Sequence, residues 1–299
     1  MAFCNKWILA AAAMAVVAGS AQAEDISLAP RAEGNWVLDY ADQRCRLMRE
    51  FGEGNDVHLL MLDQFTPGSQ VSVTLAGRRM RQFAGQRRVG FMVTPVYGEP
   101  VLFDTPHATL GDLGPALVLP GFALKAPEAG EDGLTRSFGT AGVPQIEAET
   151  FSPGSTLVVR RGSHSLTLQL SNFAAALRAL NQCSLDLIAS WGLDPERHST
   201  MRRTAEPINY AEIAEEVARR YPYRARMAGE QAAVEMRIIV NADGTIASCD
   251  INDITSTQAL RSPACDAFEG RAMFVPAQDA TGEPIKSYFN ATIVYTLAN

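Results

Sequence analysis

The stretch VEMRIIVNADG, residues 234–244, decides the fold of the last part of the chain. Apolar residues occupy every second position from Val234 to Val240, and Glu235 and Arg237 lie between them. This period of two predicts a strand with one apolar face. The stretch ends in Asn-Ala-Asp-Gly, which between two strands is typical of a hairpin turn. We therefore predict an antiparallel pair of strands here.

The elements that follow complete a small sheet. The returning strand is predicted over Thr245–Asn252, and Ser262, followed by a proline, is a favourable start for a short helix. The closing strand is the most regular of the chain, with apolar side chains at alternate positions from Phe289 to Leu297. The order strand, strand, helix, strand predicts an antiparallel sheet with one helix packed on it.

A set of short motifs runs in order through this same region. They are Tyr221-Pro222, the strand Val234–Val240, the Asp243-Gly244 turn, the helix that reaches Phe268, Phe274-Val275-Pro276-Ala277, Gly282-Glu283-Pro284 and the closing strand. The ordered set resembles the C-terminal domain of the TonB energy-transducer family over about residues 207–299. The resemblance assigns family-motif positions to Tyr221, Pro222, Gly244, Phe274 and Pro276.

The resemblance also implies a place and a way of binding. In that family the domain lies in the periplasm of Gram-negative bacteria and binds an extended peptide of outer-membrane receptors by adding a strand to its sheet. An unpaired sheet edge offers free backbone donors and acceptors, so the closing strand is the predicted docking edge. The assigned partner-binding residues are Tyr288, Asn290, Thr292, Val294 and Thr296. The expected partner is an envelope protein such as an outer-membrane receptor, with a second copy of the chain as the alternative.

Two features separate the sequence from a TonB-type transducer. Such a transducer has an uncleaved membrane helix with a functional histidine, whereas the apolar segment Trp7–Gly19 has no histidine. The long proline-rich spacer of the family is also missing. Energy transduction in transmembrane transport, directly or as an accessory, therefore requires the N-terminal segment to remain as an anchor and is kept as an alternative.

The first residues predict export. Lys6 precedes a 13-residue apolar run, Trp7–Gly19, and small residues then lead to Ala23. This pattern is typical of a secretory signal peptide, here residues 1–23 with cleavage after Ala23. We therefore predict a periplasmic protein, and an uncleaved inner-membrane anchor is the alternative.

Residues 24–194 predict a β-rich domain that ends in an amphipathic helix. Short alternating runs separated by Pro and Gly turns over Trp36–Leu170 indicate a β-sandwich. Apolar residues spaced by three, four and seven predict a helix over Ser171–Trp191. The region Trp36–Leu180 also resembles invasion-associated locus B proteins, which are secreted β-sandwich domains. The polar segment 195–206 is predicted to be the interdomain linker, and the second domain is predicted over 207–299. The whole chain is predicted to be α+β.

Four cysteines remain once the signal peptide is removed, and an even count in an exported protein favours disulfides. Four cysteines allow three pairings. Cys183 lies on the apolar stripe of the long helix and faces the sheet, where a strand that carries Cys45 can meet it. Cys249 on the returning strand and Cys265 on the short helix can meet in the same way. We therefore predict the bonds Cys45–Cys183 and Cys249–Cys265.

The net charge and the absence of catalytic motifs argue against nucleic-acid binding and against enzymatic activity. The formal net charge of -7, from 26 basic and 33 acidic residues, is unfavourable for nucleic-acid binding. The sequence contains none of the motifs GxSxG, SxxK, HExxH, GxGxxG or a Walker loop, and no CxxC pair. We predict a non-catalytic protein without metal or cofactor. An enzyme or ligand binder with its site between Trp36 and Trp191 is the alternative.

Overall fold

The structure of the 299-residue chain is a computed structural model. It describes residues 24–32, 34–41, 43–83, 88–105, 107–125, 141–230, 232–255 and 262–295. The predicted signal peptide therefore lies outside the described residues.

The first part of the chain, up to helix α1, is rich in strands, and the second part contains both helices and strands. The strands are β1 Glu24–Leu28, β2 Val37–Ala41, β3 Arg44–Phe51, β4 His58–Gln64, β5 Gln70–Gly77, β6 Val89–Val93, β7 Val101–Phe103, β8 His107–Leu110, β9 Gly114–Ala123, β10 Thr156–Arg161, β11 His164–Gln169, β12 Glu206–Pro207, β13 Ala232–Val240, β14 Ile246–Thr255, β15 Phe274–Val275, β16 Ala277–Gln278, β17 Pro284–Ile285 and β18 Ser287–Tyr295. The α-helices are α1 Phe173–Ser190, α2 Pro195–Ser199, α3 Tyr210–Arg219, α4 Tyr223–Met227 and α5 Ser262–Arg271. The predicted α+β class is confirmed.

Two sheets and one long helix build the first part of the chain. One sheet has the order β2-β3-β4-β5-β9-β8, and the other has the order β1-β11-β10-β6-β7 with β1 parallel to β11. Their apolar residues share one core, which contains Phe51, Phe91 and Phe122. Helix α1 joins the same core through Leu177 and Leu180. The predicted β-rich architecture, with an amphipathic helix after its sheets, is thus present in this part of the chain.

A three-stranded antiparallel sheet, β14-β13-β18, forms the second part. Val234, Met236 and Ile238 on β13 are buried on its inner face, in a core that also contains Phe268 of α5. Helix α3 packs beside α5 and adds Ile213 to this core. The inner face is therefore covered by helices, and the closing strand β18 is an edge strand of the sheet.

Each part contains one disulfide. Cys45 on β3 is bonded to Cys183 on α1, and Cys249 on β14 is bonded to Cys265 on α5. Both predicted pairings are present, and each bond ties a strand to the helix that covers its sheet.

The segment 195–206, which we predicted to be the interdomain linker, contains helix α2. Asp194 caps helix α2 by accepting hydrogen bonds from the backbone N–H groups of Glu196 and Arg197, and Pro195 occupies the first turn. Met201 and Ala205 are then buried in the core of the second part. The cap at Asp194 and the buried residues Met201 and Ala205 make the segment compact. Its polar composition alone does not reveal these contacts. The domain boundaries themselves stay a prediction.

Candidate functional site

Strand β18 is an edge of the small sheet. It pairs with β13 on one side, in a register that runs from Ala232 opposite Tyr295 to Val240 opposite Ser287. Among the residues that the structure describes, no strand pairs with its other side. Such an edge is a ready template for another extended chain.

A groove of about 420 Å³ lies beside this edge, between α3, α5 and β18. Its lining is mainly aromatic and aliphatic and consists of Tyr210, Ala214, Val217, Ala218, Tyr221, Phe268, Thr292, Ile293 and Tyr295. Ala214 and Ala218 are exposed and one helical turn apart on α3, so small side chains leave the groove open at this wall. Burial raises the pKa of Tyr295 to about 12, so its hydroxyl stays neutral. The groove has room for a large apolar side chain.

The structure places the predicted partner-binding residues in different surroundings. Thr292 lines the groove, and Asn290 is exposed. Tyr288 is only 7% exposed, and its ring lies 5.3 Å from that of Trp191 and 6.2 Å from that of His198. Its side chain therefore belongs to the contact with the first part of the chain and is covered there.

The two remaining predicted positions cannot be placed. Thr296 and the side chain of Val294 lie outside the described residues. The helix wall of the groove, by contrast, was not predicted. The only sequence signal for it is Ala214 and Ala218, four residues apart beside the apolar positions Ile213 and Val217.

Three family-motif residues meet at the hairpin turn. Gly244 has φ +84°, and a Cβ atom on it would lie 2.5 Å from the carbonyl oxygen of Phe274 and 3.8 Å from Pro276. Only glycine allows this backbone approach together with this positive φ. The motif therefore fixes the turn against the segment that leads to the closing strand.

The other two motif residues lie between α3 and α4, and Tyr221 also lines the groove. The hydroxyl of Tyr221 donates to the carbonyl of Glu230, and its ring lies 5.4 Å from that of Tyr295. Pro222 directly precedes α4. Tyr221 thus links the groove wall to the chain that enters β13.

The outer face of the sheet is covered by the first part of the chain. The guanidinium of Arg237 lies 4.6 Å from the ring centre of Phe65 and 4.3 Å from that of Trp191. It also donates to Gln43 and lies 3.3 Å from the carboxylate of Asp250. Burial lowers the pKa of Arg237. A planar cation between two rings is a strong anchor for this contact.

A buried histidine supports the start of β18 from the same side. His198 on α2 has Nδ1 2.6 Å from the carbonyl oxygen of Asp194 and Nε2 3.0 Å from the hydroxyl of Ser287. Burial lowers the pKa of His198, which favours the neutral ring. The segment predicted as a linker therefore positions the first residue of the closing strand.

Neither a metal site nor a membrane-spanning helix emerges from the described parts of the chain. Within them, no three His, Cys, Asp or Glu side chains gather closely enough to hold a metal ion. Within the same ranges, every helix is too short or too polar to cross a bilayer.

A small sheet with a free edge beside an apolar groove is the kind of surface that protein-interaction domains use. Residues 217–297 match the family model of the Gram-negative bacterial TonB protein C-terminal, so the predicted resemblance is confirmed for this part of the chain. This class of domain is a non-enzymatic protein-interaction module of the Gram-negative envelope. The comparison with curated proteins finds no match. The resemblance of the first part to invasion-associated locus B proteins stays a prediction.

Proposed function

We propose that the chain is a non-catalytic periplasmic module that binds an extended segment of an envelope protein along β18. The observation that supports this proposal is the open groove beside the free edge. The match to the TonB C-terminal family supports a protein partner of the envelope. An outer-membrane receptor peptide is the proposed occupant, and pairing of two copies of the chain is an outcome that the same experiments detect.

Two kinds of contact hold the docked segment. Its backbone hydrogen-bonds to the outer side of β18, which provides affinity without regard to sequence. One of its side chains enters the groove between Ala218 and Tyr295, which provides specificity because the groove favours a large apolar group. No bond is made or broken, and no cofactor takes part.

Deleting the closing strand is not a usable test of this proposal. Phe289, Ala291 and Tyr295 on β18 are buried in the core of the domain. A chain that ends before Tyr288 would lose them and the packing that they provide, so a loss of binding would not identify the docking edge. A substitution on the groove wall is the sharper test.

Replacing Ala218 by tryptophan is expected to weaken peptide binding at least tenfold, or about 1.4 kcal/mol. The indole would fill the groove from an exposed position without disturbing the core. The probe is an array of nine-residue peptides from the periplasm-facing segments of outer-membrane receptors. Affinities of the best peptide are then measured by fluorescence anisotropy with the mature chain.

The matched control for this substitution is Ala211→Trp. Ala211 is exposed on the same helix and does not line the groove, so this variant should bind the peptide with unchanged affinity. Equal affinity of Ala218→Trp and the parent chain would contradict the proposal. Loss of binding in both variants would indicate a general effect on α3 and would also contradict a groove-specific site.

Export with cleavage is the second part of the proposal. Strand β1 begins at Glu24 and pairs with β11 from that residue onward, so cleavage after Ala23 leaves the strand intact. Mass spectrometry of the intact exported protein is expected to find Glu24 as the first residue. A protein that retains Met1 in the envelope fraction would contradict this and would favour the anchored transducer instead.

A further inference from the structure

One carboxyl group lies in the contact between the two parts of the chain. Glu235 on β13 accepts a hydrogen bond from the hydroxyl of Ser72 on β5 at 2.6 Å and another from the amide of Asn252 on β14 at 3.0 Å. Asn252 in turn accepts from Arg44 on β3 at 3.2 Å. These four side chains form one chain of hydrogen bonds that crosses the interface twice.

The direct partners of the Glu235 carboxylate are neutral. The charged side chains around it are Arg44 and Arg46 of β3, Asp63 of β4, Arg237 of β13 and Asp250 of β14. Arg46 lies 2.6 Å from Asp63, and Arg237 lies 3.3 Å from Asp250, so each of these cations is engaged by another acid. Arg44 reaches Glu235 only through Asn252. The ionised form of Glu235 therefore lacks a direct counter-ion.

We propose that protonation of Glu235 controls how tightly the N-terminal domain holds the TonB C-terminal sheet. The neutral acid keeps both hydrogen bonds, because its O–H can donate to the Ser72 oxygen while the other oxygen still accepts from Asn252. The ionised form keeps a charge at a partly buried position, which costs free energy. A mildly acidic pH therefore favours the contact between the N-terminal domain and the sheet, and an alkaline pH weakens this contact.

The contact lies next to the proposed docking strand. Glu235 on β13 is directly opposite Thr292 on β18, and Thr292 lines the groove. The Glu235 carboxylate faces the N-terminal part of the chain through Ser72. The Thr292 hydroxyl is on the same face, 3.8 Å from a Cβ atom built on Gly121 of β9, so Thr292 borders the groove at the edge of the strand. Protonation of Glu235 thus changes the support of the docking strand at the position where the groove begins.

The direction of the pH effect follows from the pKa. Burial raises the pKa of Glu235 from its ordinary 4.5 to about 7. The closed interface then binds a proton more tightly than the unfolded chain does. Its stabilisation is present at low pH and is lost as the pH rises from the ordinary value through 7.

Trp191 provides a direct optical probe of this contact, because its ring lies against Arg237 and Tyr288. After Glu24 the sequence contains only Trp36 and Trp191, so Trp36→Phe leaves a single tryptophan in the mature chain. In that background we expect the Trp191 emission to titrate with a midpoint near pH 7. We also expect the thermal midpoint to fall by about 4 °C from pH 5.5 to pH 8.5.

Glu235→Gln should abolish the titration near pH 7 and raise the thermal midpoint at pH 8.5. Glutamine keeps the shape and both hydrogen bonds, since its amide donates to Ser72 and accepts from Asn252. The matched control is Glu215→Gln on the exposed face of α3, which should titrate like the parent. His198 stacks on Tyr288, which also contacts Trp191. Any signal from His198 would remain in Glu235→Gln, so this variant separates it from the signal of Glu235.

A Trp191 titration near pH 7 that persists in Glu235→Gln would overturn the proposal. A carboxyl resonance of Glu235 that titrates near 4.5 in carbon-13 NMR of the parent would overturn it as well, whether or not the variant folds. Neither measurement uses a peptide, so their outcome is independent of the docking proposal above.

Discussion

Replacing Arg237 by alanine is expected to lower the free energy of unfolding by about 3 kcal/mol. The Arg237 side chain is 2% exposed and lies between Phe65 and Trp191, so the substitution removes two desolvated cation–π contacts at once. It also leaves Asp250 without its cation and opens a cavity between the first and second parts of the chain. Chemical unfolding of the mature chain, followed by far-UV circular dichroism, measures the loss.

Two further substitutions separate the causes of this loss. Arg237→Lys keeps the charge but not the planar group that stacks between the rings, so an intermediate loss is expected. Arg224→Ala removes an exposed arginine on α4 and should change stability by less than about 0.5 kcal/mol. An Arg237→Ala variant as stable as Arg224→Ala would contradict the anchoring role of this side chain.

Replacing Gly244 by alanine is expected to destabilise the chain by about 3 kcal/mol or more. The new Cβ atom would lie 2.5 Å from the backbone carbonyl oxygen of Phe274, which cannot move aside as a flexible side chain can. The positive φ of +84° adds strain. The thermal midpoint, measured by calorimetry, should fall accordingly.

Gly229→Ala is the matched control for the turn. Gly229 also has a positive φ, +70°, but nothing lies within 4 Å of a Cβ atom built on it. Its substitution should therefore cost only the conformational strain, about 1 kcal/mol. Equal losses in the two variants would mean that the approach of Phe274 is not what requires glycine at position 244.

The sequence predicted those elements that local patterns specify. The alternation from Val234 to Val240, the Asn-Ala-Asp-Gly turn and the capped start at Ser262 correspond to β13, its hairpin and α5. The Cys45–Cys183 disulfide was also predictable, because apolar residues of α1 recur at intervals of three, four and seven and Cys183 lies among them.

The contact between the two parts of the chain was not predictable in this way. Glu235 and Arg237 occupy the polar face of a strand, and a period of two does not distinguish a face that meets water from one that meets another polar sheet. Their partners Ser72 and Phe65 lie far away along the chain. Only the tertiary structure brings these groups together.

The groove escaped prediction for a related reason. Ala218 on α3 matters because its small side chain leaves the groove open beside β18. Two alanines four residues apart are a weak signal, because small side chains are also common at exposed helix positions that line no groove. Tyr288 was assigned to the docking edge, since alternate residues of an edge strand share a face. That face is instead covered by Trp191 and His198 at this end of the strand.

The arrangement assigns different tasks to the two faces and the edge of the small sheet. The helices cover the inner face, and the first part of the chain covers the outer face through Arg237 and Glu235. The unpaired hydrogen-bonding edge of β18 and the groove beside it are left for a partner. In this proposal the N-terminal domain therefore supports the docking strand and does not occupy it.

Hydrogen–deuterium exchange of the mature chain, with and without a saturating receptor peptide, locates the docked segment. The account predicts slower exchange in β18 and in α3 when the peptide is bound, with no change in β14 at the opposite edge of the sheet. Protection confined to β14 or to the N-terminal domain, with β18 unchanged, would contradict it.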